Sequence, residues 1–394
     1  MRHAATGFTL IAIALIIFTG CSQPEDPTRG AVLQTEFQAL IDSVVAEDDA
    51  IHGASMAVFS PSSGLAWEGA AGFADPEAKT PMTPGHPVRI ASNTKTYVAA
   101  AILRLAETDR IDLDAVIDDH LPVEFSNILE SDGYDPSTIT VRHLLTHTGG
   151  LYDHGDAEAY TKAIIADPTH HWTAKEQITA LVEWGDMLDE PERIYSYSDS
   201  GYVLLGVIIE QITGQGLAEA VRGLVNFDKL GLHATWWEIM EPAPEGSMER
   251  AHQYLGDLDV TGFVPYFDLF GGGGIATTMG DLARFHGALF RGKVYSDPGT
   301  IEIMLSTFDG IEASPTANER ALPPGAYRMG VWVLDTEGYT SYHHTGFWGT
   351  LAVHIPELDL TIAATANQNQ LKPTFDQIPA EVIEIVERYS NCEL

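Results

Sequence analysis

The chain predicts an α+β fold: one antiparallel sheet assembled from the two ends of the sequence, flanked by helices and interrupted by a mostly helical region. Three observations lead there. Strand-like alternation occurs near the N-terminus, at 54–59 and 65–71, and returns only after about residue 325, at 327–334 and 350–355. Between about 110 and 300 the apolar spacing is helical. Secondary structure of this kind, with strands at both ends and helices between, buries its apolar faces by closing the ends on each other.

Each element has its own signal. Leu33, Phe37, Leu40, Ile41 and Val44 share one face of a helix over 33–45. A hairpin follows, turning at Ser62-Ser63-Gly64. After it, the good helix formers of 97–103 mark the start of a buried helix. The inserted region carries helices near Val141 and over 174–184, 201–213, 217–225 and 281–290, and a helix over 379–389 closes the chain. There are no internal repeats, and the junction of sheet and helical region is where a cleft is expected.

Chemistry concentrates first at Ser92-Asn93-Thr94-Lys95, just where the helix signal begins. Residues three apart share a helix face, so the Lys95 amine can reach the Ser92 hydroxyl. Serine becomes a nucleophile when a base takes its proton, and a lysine serves as that base when burial or a helix N-terminus lowers its pKa. No other lysine has a serine three residues before it. Two later stretches add candidates. Around Tyr197, a loop feeds an apolar helix and offers a phenol that nearby cations would bring into a useful range. The segment Tyr342-His343-His344-Thr345-Gly346-Phe347-Trp348-Gly349 lies between alternating stretches and reads as a strand lining a site.

Taken in order, Ser92-x-x-Lys95, Tyr197-Ser198-Asp199 and His344-Thr345-Gly346 resemble the three motifs of the penicillin-recognising serine hydrolases. The likeness is to the branch of class C β-lactamases, D-alanyl-D-alanine carboxypeptidases, D-aminopeptidases and esterases. The stretch 143–151 and the Gly271 to Arg284 segment resemble further parts of that branch, and the likeness covers about 35–390. It implies a β-lactamase/transpeptidase-like fold and no cofactor. It also implies an acyl-enzyme on Ser92, proton transfer shared by Lys95 and Tyr197, and an oxyanion hole from the amides of Ser92 and Phe347. Asp199, His344, Thr345 and Gly346 are the implied substrate-binding residues.

Two positions depart from the pattern. His344 stands where class C β-lactamases carry a lysine; a mostly neutral imidazole grips a carboxylate less firmly. That favours a carboxypeptidase, D-aminopeptidase or esterase over an efficient β-lactamase. Asp199 stands where asparagine is usual, and an ionised carboxylate cannot donate a hydrogen bond and opposes deprotonation of Lys95. Either Tyr197 carries the base role alone, or activity is low, or the substrate brings its own cation. Besides a working hydrolase, the sequence therefore admits a slowly acylating lipoprotein that binds penicillin or peptidoglycan.

Other constellations are weaker. His143 and His147 have a zinc-compatible spacing, but no glutamate follows His143 as in H-E-x-x-H, so a packed helix end is the reading. His170-His171 reads as a solvated loop, and Gly271 to Gly274 as a turn needing positive φ rather than a phosphate loop. Trp236-Trp237 and Trp348 read equally as cleft lining or core. No G-x-S-x-G occurs.

The formal net charge of −35 argues against a nucleic-acid partner. The acidity is spread, as in Glu47-Asp48-Asp49, and reads as a solvated surface suited to saline conditions. Residues 1–20 carry Arg2, an apolar run from Phe8 to Phe18, and Thr19-Gly20 before Cys21. This is a lipoprotein-type signal, too short to span a membrane comfortably. Lipidated Cys21, a tether over 21–32 and a hydrolase domain over 33–390 make a cell-envelope lipoprotein, delivered to the outer membrane on the periplasmic side. With Cys21 lipidated only Cys392 remains, so no internal disulfide forms. The expected partners are a small-molecule or peptidoglycan-derived peptide substrate and, through the lipid, the membrane; the protein is expected to be a monomer.

Overall fold

The computed structural model describes residues 27–306, 312–313, 326–369 and 373–390. The signal segment, Cys21 and Cys392 lie outside them. The first helix, α1 (Pro27–Ala46), begins six residues before the apolar stripe does, so 27–32, read from sequence as tether, are helical. The expectation followed the stripe; a helix extends beyond it when nothing breaks the backbone.

Seven strands form the main sheet: β1 (Gly53–Ser60), β2 (Leu65–Asp75), β3 (Thr80–Pro81), β4 (Trp332–Thr336), β5 (Tyr339–Gly346), β6 (Thr350–Ile355) and β7 (Leu360–Ala366). Their order is β4-β5-β6-β7-β1-β2-β3, antiparallel throughout. The two ends of the chain meet at β1 and β7, with Met56 opposite Ala364 and Val58 opposite Ile362. The strand expected over 327–334 starts only at Trp332. Gly330, at φ 77°, turns the chain there, and Tyr327 folds back to bridge Trp332.

The helices that frame the sheet and the site, after α1, are α2 (Thr94–Glu107), α3 (Val141–Thr146), α4 (Ala174–Trp184), α5 (Asp199–Thr213), α6 (Leu217–Val225), α7 (Met279–Phe290) and the closing α8 (Ile378–Ser390). Alternation along the strands sorts residues to two faces. Met56, Val58, Val353 and Ile362 pack against Phe37 and Ile41 of α1 and Val382 and Ile383 of α8. The opposite face presents Ala57, Ala352 and Ala363 to the second core. Small side chains there let α7 cross the sheet closely, placing Leu282, Phe285 and Leu289 in the same core.

Helix α2 is buried from Thr94 through Leu103, with Tyr97 to Leu103 apolar on every side, and so sits at the centre of the helical region. Its neighbours include α5, α6 and Phe227. Helix ends follow local chemistry: Thr173 and Glu176 form a reciprocal cap on α4, and Thr140 with His143 does the same for α3. Trp236-Trp237 forms a short buried strand beside Ile275-Ala276, which settles that pair as core.

Candidate active site

Ser92 lies in a single 3-10 turn, Ala91–Asn93, that runs directly into α2. Ala91 holds φ 43°, a left-handed conformation costly for a side chain with a Cβ, of order 1–3 kcal/mol. The surroundings fix it. Gly346 at the end of β5 comes so close that an added Cβ would lie 2.1 Å from the Ile90 carbonyl oxygen. Thr350 of β6 donates to that same carbonyl at 3.1 Å, and the Asn93 side chain lies 2.9 Å from Thr350 Oγ1. Strands β5 and β6 thus clamp both sides of the Ser92 turn.

The first turn of α2 carries Lys95, whose side chain is fully buried. Its Nζ donates to Ser92 Oγ at 2.9 Å and to the Gly272 carbonyl at 2.8 Å, and it forms an ion pair with Asp199 at the start of α5. The glycine turn reaches Lys95 because α5 lets it in: a Cβ on Gly206 would meet the Phe270 carbonyl oxygen at 2.2 Å. Nζ also lies 5.0 Å from the centre of the Tyr197 ring, and the Tyr197 phenol hydrogen-bonds the Ser92 side chain. Among the described residues, neither the Ser92 nor the Phe347 amide donates to a backbone carbonyl, which leaves both available to a developing oxyanion.

Electrostatics change the roles expected of these groups. Burial and the Asp199 carboxylate push the Tyr197 phenol well above its ordinary pKa, overcoming the hydrogen bond from Ser92. The sequence expects nearby cations to bring this phenol into a useful range; burial and Asp199 act in the opposite direction and favour the protonated phenol. Burial alone would raise Asp199, but the charge and hydrogen bond of Lys95 outweigh it and keep the carboxylate ionised. Its side chain retains 29 % exposure, so the pair opens onto the cleft.

His344 is also corrected. The ring is buried, with Nδ1 2.8 Å from the Thr345 carbonyl and Nε2 3.3 Å from the Tyr327 hydroxyl. Burial, with Lys95 nearby, lowers its pKa to about 3. The ring is neutral, as the sequence expects, but it lies buried under β5 rather than open to a substrate, and exposed Thr345 is the side chain of that motif facing outward. Phe347 is 46 % exposed beside Trp348, and Trp348 packs with Ala91, Val260, Phe263 and Phe267 into an aromatic wall next to the nucleophile.

Sequence reasoning missed two carboxyls here. Asp153 accepts from the amides of Asp199 at 3.1 Å and Gly155 at 3.0 Å; burial first, then Asp199, raises its pKa well above the usual range. Asp268, hydrogen-bonded to Trp348, is pushed up to about 7, chiefly by burial and then by Asp199. Both sit in loops without periodicity, and their nearness to Gly150 and Gly271 was the only signal. His170 pairs with Glu176, and His171 stacks on Tyr266, so that loop is more ordered than expected. No group of side chains suited to a metal occurs among the described residues.

A family model described as Beta-lactamase matches residues 38–387. The putative penicillin-binding protein PbpX of Bacillus subtilis (strain 168) is 27 % identical over 227 residues, covering 57 % of this chain and 52 % of that protein. Esterase EstB of Burkholderia gladioli is 33 % identical over 226 residues, covering 55 % and 56 %. The chain spans about half the length of the curated relatives it matches. The D-amino acid amidase of Ochrobactrum anthropi SV3, solved with L-phenylalanine amide, superposes with a TM-score of 0.74 at 24 % identity, over 91 % of this chain and all of that one. That likeness establishes the β-lactamase/transpeptidase fold.

Proposed function

The chain belongs to the Beta-lactamase family, and from that premise we propose that it is a serine hydrolase working through an acyl-enzyme on Ser92. One observation carries the reading: Lys95 Nζ and the Tyr197 phenol both meet the Ser92 hydroxyl, which is held in a strained turn. Ser92 Oγ bonds to the acyl carbon as its proton passes to the Lys95 amine. The oxyanion rests on the Ser92 and Phe347 amides. As the bond to the leaving group breaks, Tyr197 gives that group its proton and recovers one from Lys95. Water then attacks the ester by the reverse path.

The substrate reading follows from charge. The ionised Asp199 carboxylate lies against Lys95, and His344 offers no positive charge. Neutral esters and amine-bearing D-amino-acid amides or peptides suit this field better than a D-alanyl-D-alanine carboxylate terminus or a β-lactam. A time course with a chromogenic ester tests the function: steady turnover, abolished in Ser92→Ala, is expected. The Lys95–Asp199 pair favours one rival, a slowly acylating binding lipoprotein, for which a single stoichiometric burst would be seen instead.

The leader composition supports export, lipidation at Cys21 and residence at the periplasmic side of the outer membrane. Cys21→Ser should move the protein from the membrane fraction to the soluble one; retention in the membrane would refute lipidation.

A further inference from the structure

The paired histidines of 143–147, singled out by their spacing, are absorbed by no step above. They do not converge: His143 Nδ1 accepts from the Thr140 amide at 3.0 Å and Nε2 meets Glu192 at 3.0 Å, whereas His147 turns the other way. His147 ends α3 in the left-handed region at φ 57°. Its carbonyl accepts the Ser196 amide at 2.9 Å, and its Nδ1 accepts the Ser198 amide at 3.1 Å. The residues on either side of Tyr197 are thus both tied to one histidine. The imidazole also lies 4.2 Å from the Tyr197 ring centre.

We propose that His147 is a positioning residue for acyl transfer, holding the Tyr197 hydroxyl on Ser92 through the Ser198 amide bond and the face of its ring. The inference rests on the assignment of Tyr197 as proton donor. Because Nδ1 accepts, the ring proton sits on Nε2, and the imidazole works as an acceptor only while neutral. Burial, then the charge of Lys95, holds its pKa well below the ordinary histidine value. The groups around it are Lys95, His344 and the phenols of Tyr195, Tyr197, Tyr202 and Tyr327; none is an acid that would draw a proton onto the ring.

Two substitutions separate the acceptor from the ring. His147→Asn places an oxygen near Nδ1 and tolerates positive φ; His147→Phe keeps an aromatic ring and loses the acceptor. With active sites counted by fluorophosphonate titration, His147→Phe should lose about 10²-fold in kcat with KM within about twofold, since displacing a catalytic group by about 1 Å costs that much. His147→Asn should recover kcat to within about fivefold of the parent. A histidine serving only stability would lower the titratable fraction and the melting temperature in both variants while leaving kcat per site intact, and that result overturns the proposal. Should the parent protein show no turnover, the assignment of Tyr197 falls separately. The crystal structure of His147→Phe then decides: a Tyr197 hydroxyl withdrawn from Ser92 upholds the positioning role, and an unmoved one refutes it.

Discussion

Asp199 sets the surroundings of Ser92, the proposed nucleophile, through Lys95. It places a carboxylate against Lys95, and by its charge it helps keep the Tyr197 phenol protonated. Replacing it with asparagine removes the charge and restores a donor. Asp199→Asn should raise the acylation rate with a neutral ester by roughly tenfold near pH 7, about 1.4 kcal/mol of barrier. Amine-bearing amides should gain least. A uniform loss with every substrate would show that the carboxylate is a working part of the site. Asp268 gives a second, independent signature. Its folded pKa of about 7 lies above the unfolded one, so between pH 4 and 7 the folded chain holds more protons than the unfolded one. This contribution is fully present below the unfolded value and is lost as pH climbs through about 7. Asp268→Asn should therefore stabilise the protein at pH 8 by on the order of 1–2 kcal/mol after allowance for solvent screening, and hardly at all at pH 4. Thermal melts at both values check it; an equal gain at both would remove the titration from the explanation.

At the scale of elements, the site is a meeting of one helix start with one strand end. Gly346 permits that meeting. Gly346→Ala must push β5 away from Ile90, at about 1–3 kcal/mol, and should lower kcat/KM on esters at least tenfold while most of the sheet persists by circular dichroism. Unchanged kinetics would mean that the strand can yield without moving Phe347. The periodic elements were legible in the sequence: the helices 174–184 and 217–225 and the strand 350–355 have the expected limits, because an apolar stripe bounded by caps or turns leaves little freedom. The Ser92 and Lys95 pairing was legible for the same reason, since helical spacing is local. Three things were not. Strand β4 slipped because one positive-φ glycine outweighs alternation; Asp153 and Asp268 depend on loop paths; and His344 faces inward because strand parity is fixed by packing against Tyr327 and Trp332. Each is decided by contacts distant in sequence.

For the whole molecule, charge and connectivity matter most. A formal charge of −35 repels itself at low ionic strength, and salt shortens the reach of that repulsion from about 30 Å at 0.01 M to about 3 Å at 1 M. The melting temperature should rise by several degrees between 0.05 and 1 M sodium chloride, more than in a neutral protein of the same fold; a flat or falling curve would show that paired charges dominate instead. The hydrogen bonds between β1 and β7 join residues about 310 positions apart. A ribosome delivers Ser92, Lys95 and Tyr197 early, yet the wall that gives them a cleft comes last. A product ending between Tyr197 and β5 carries all three side chains without the strands that clamp the Ser92 turn, so this arrangement is completed by the last part of the chain to be made.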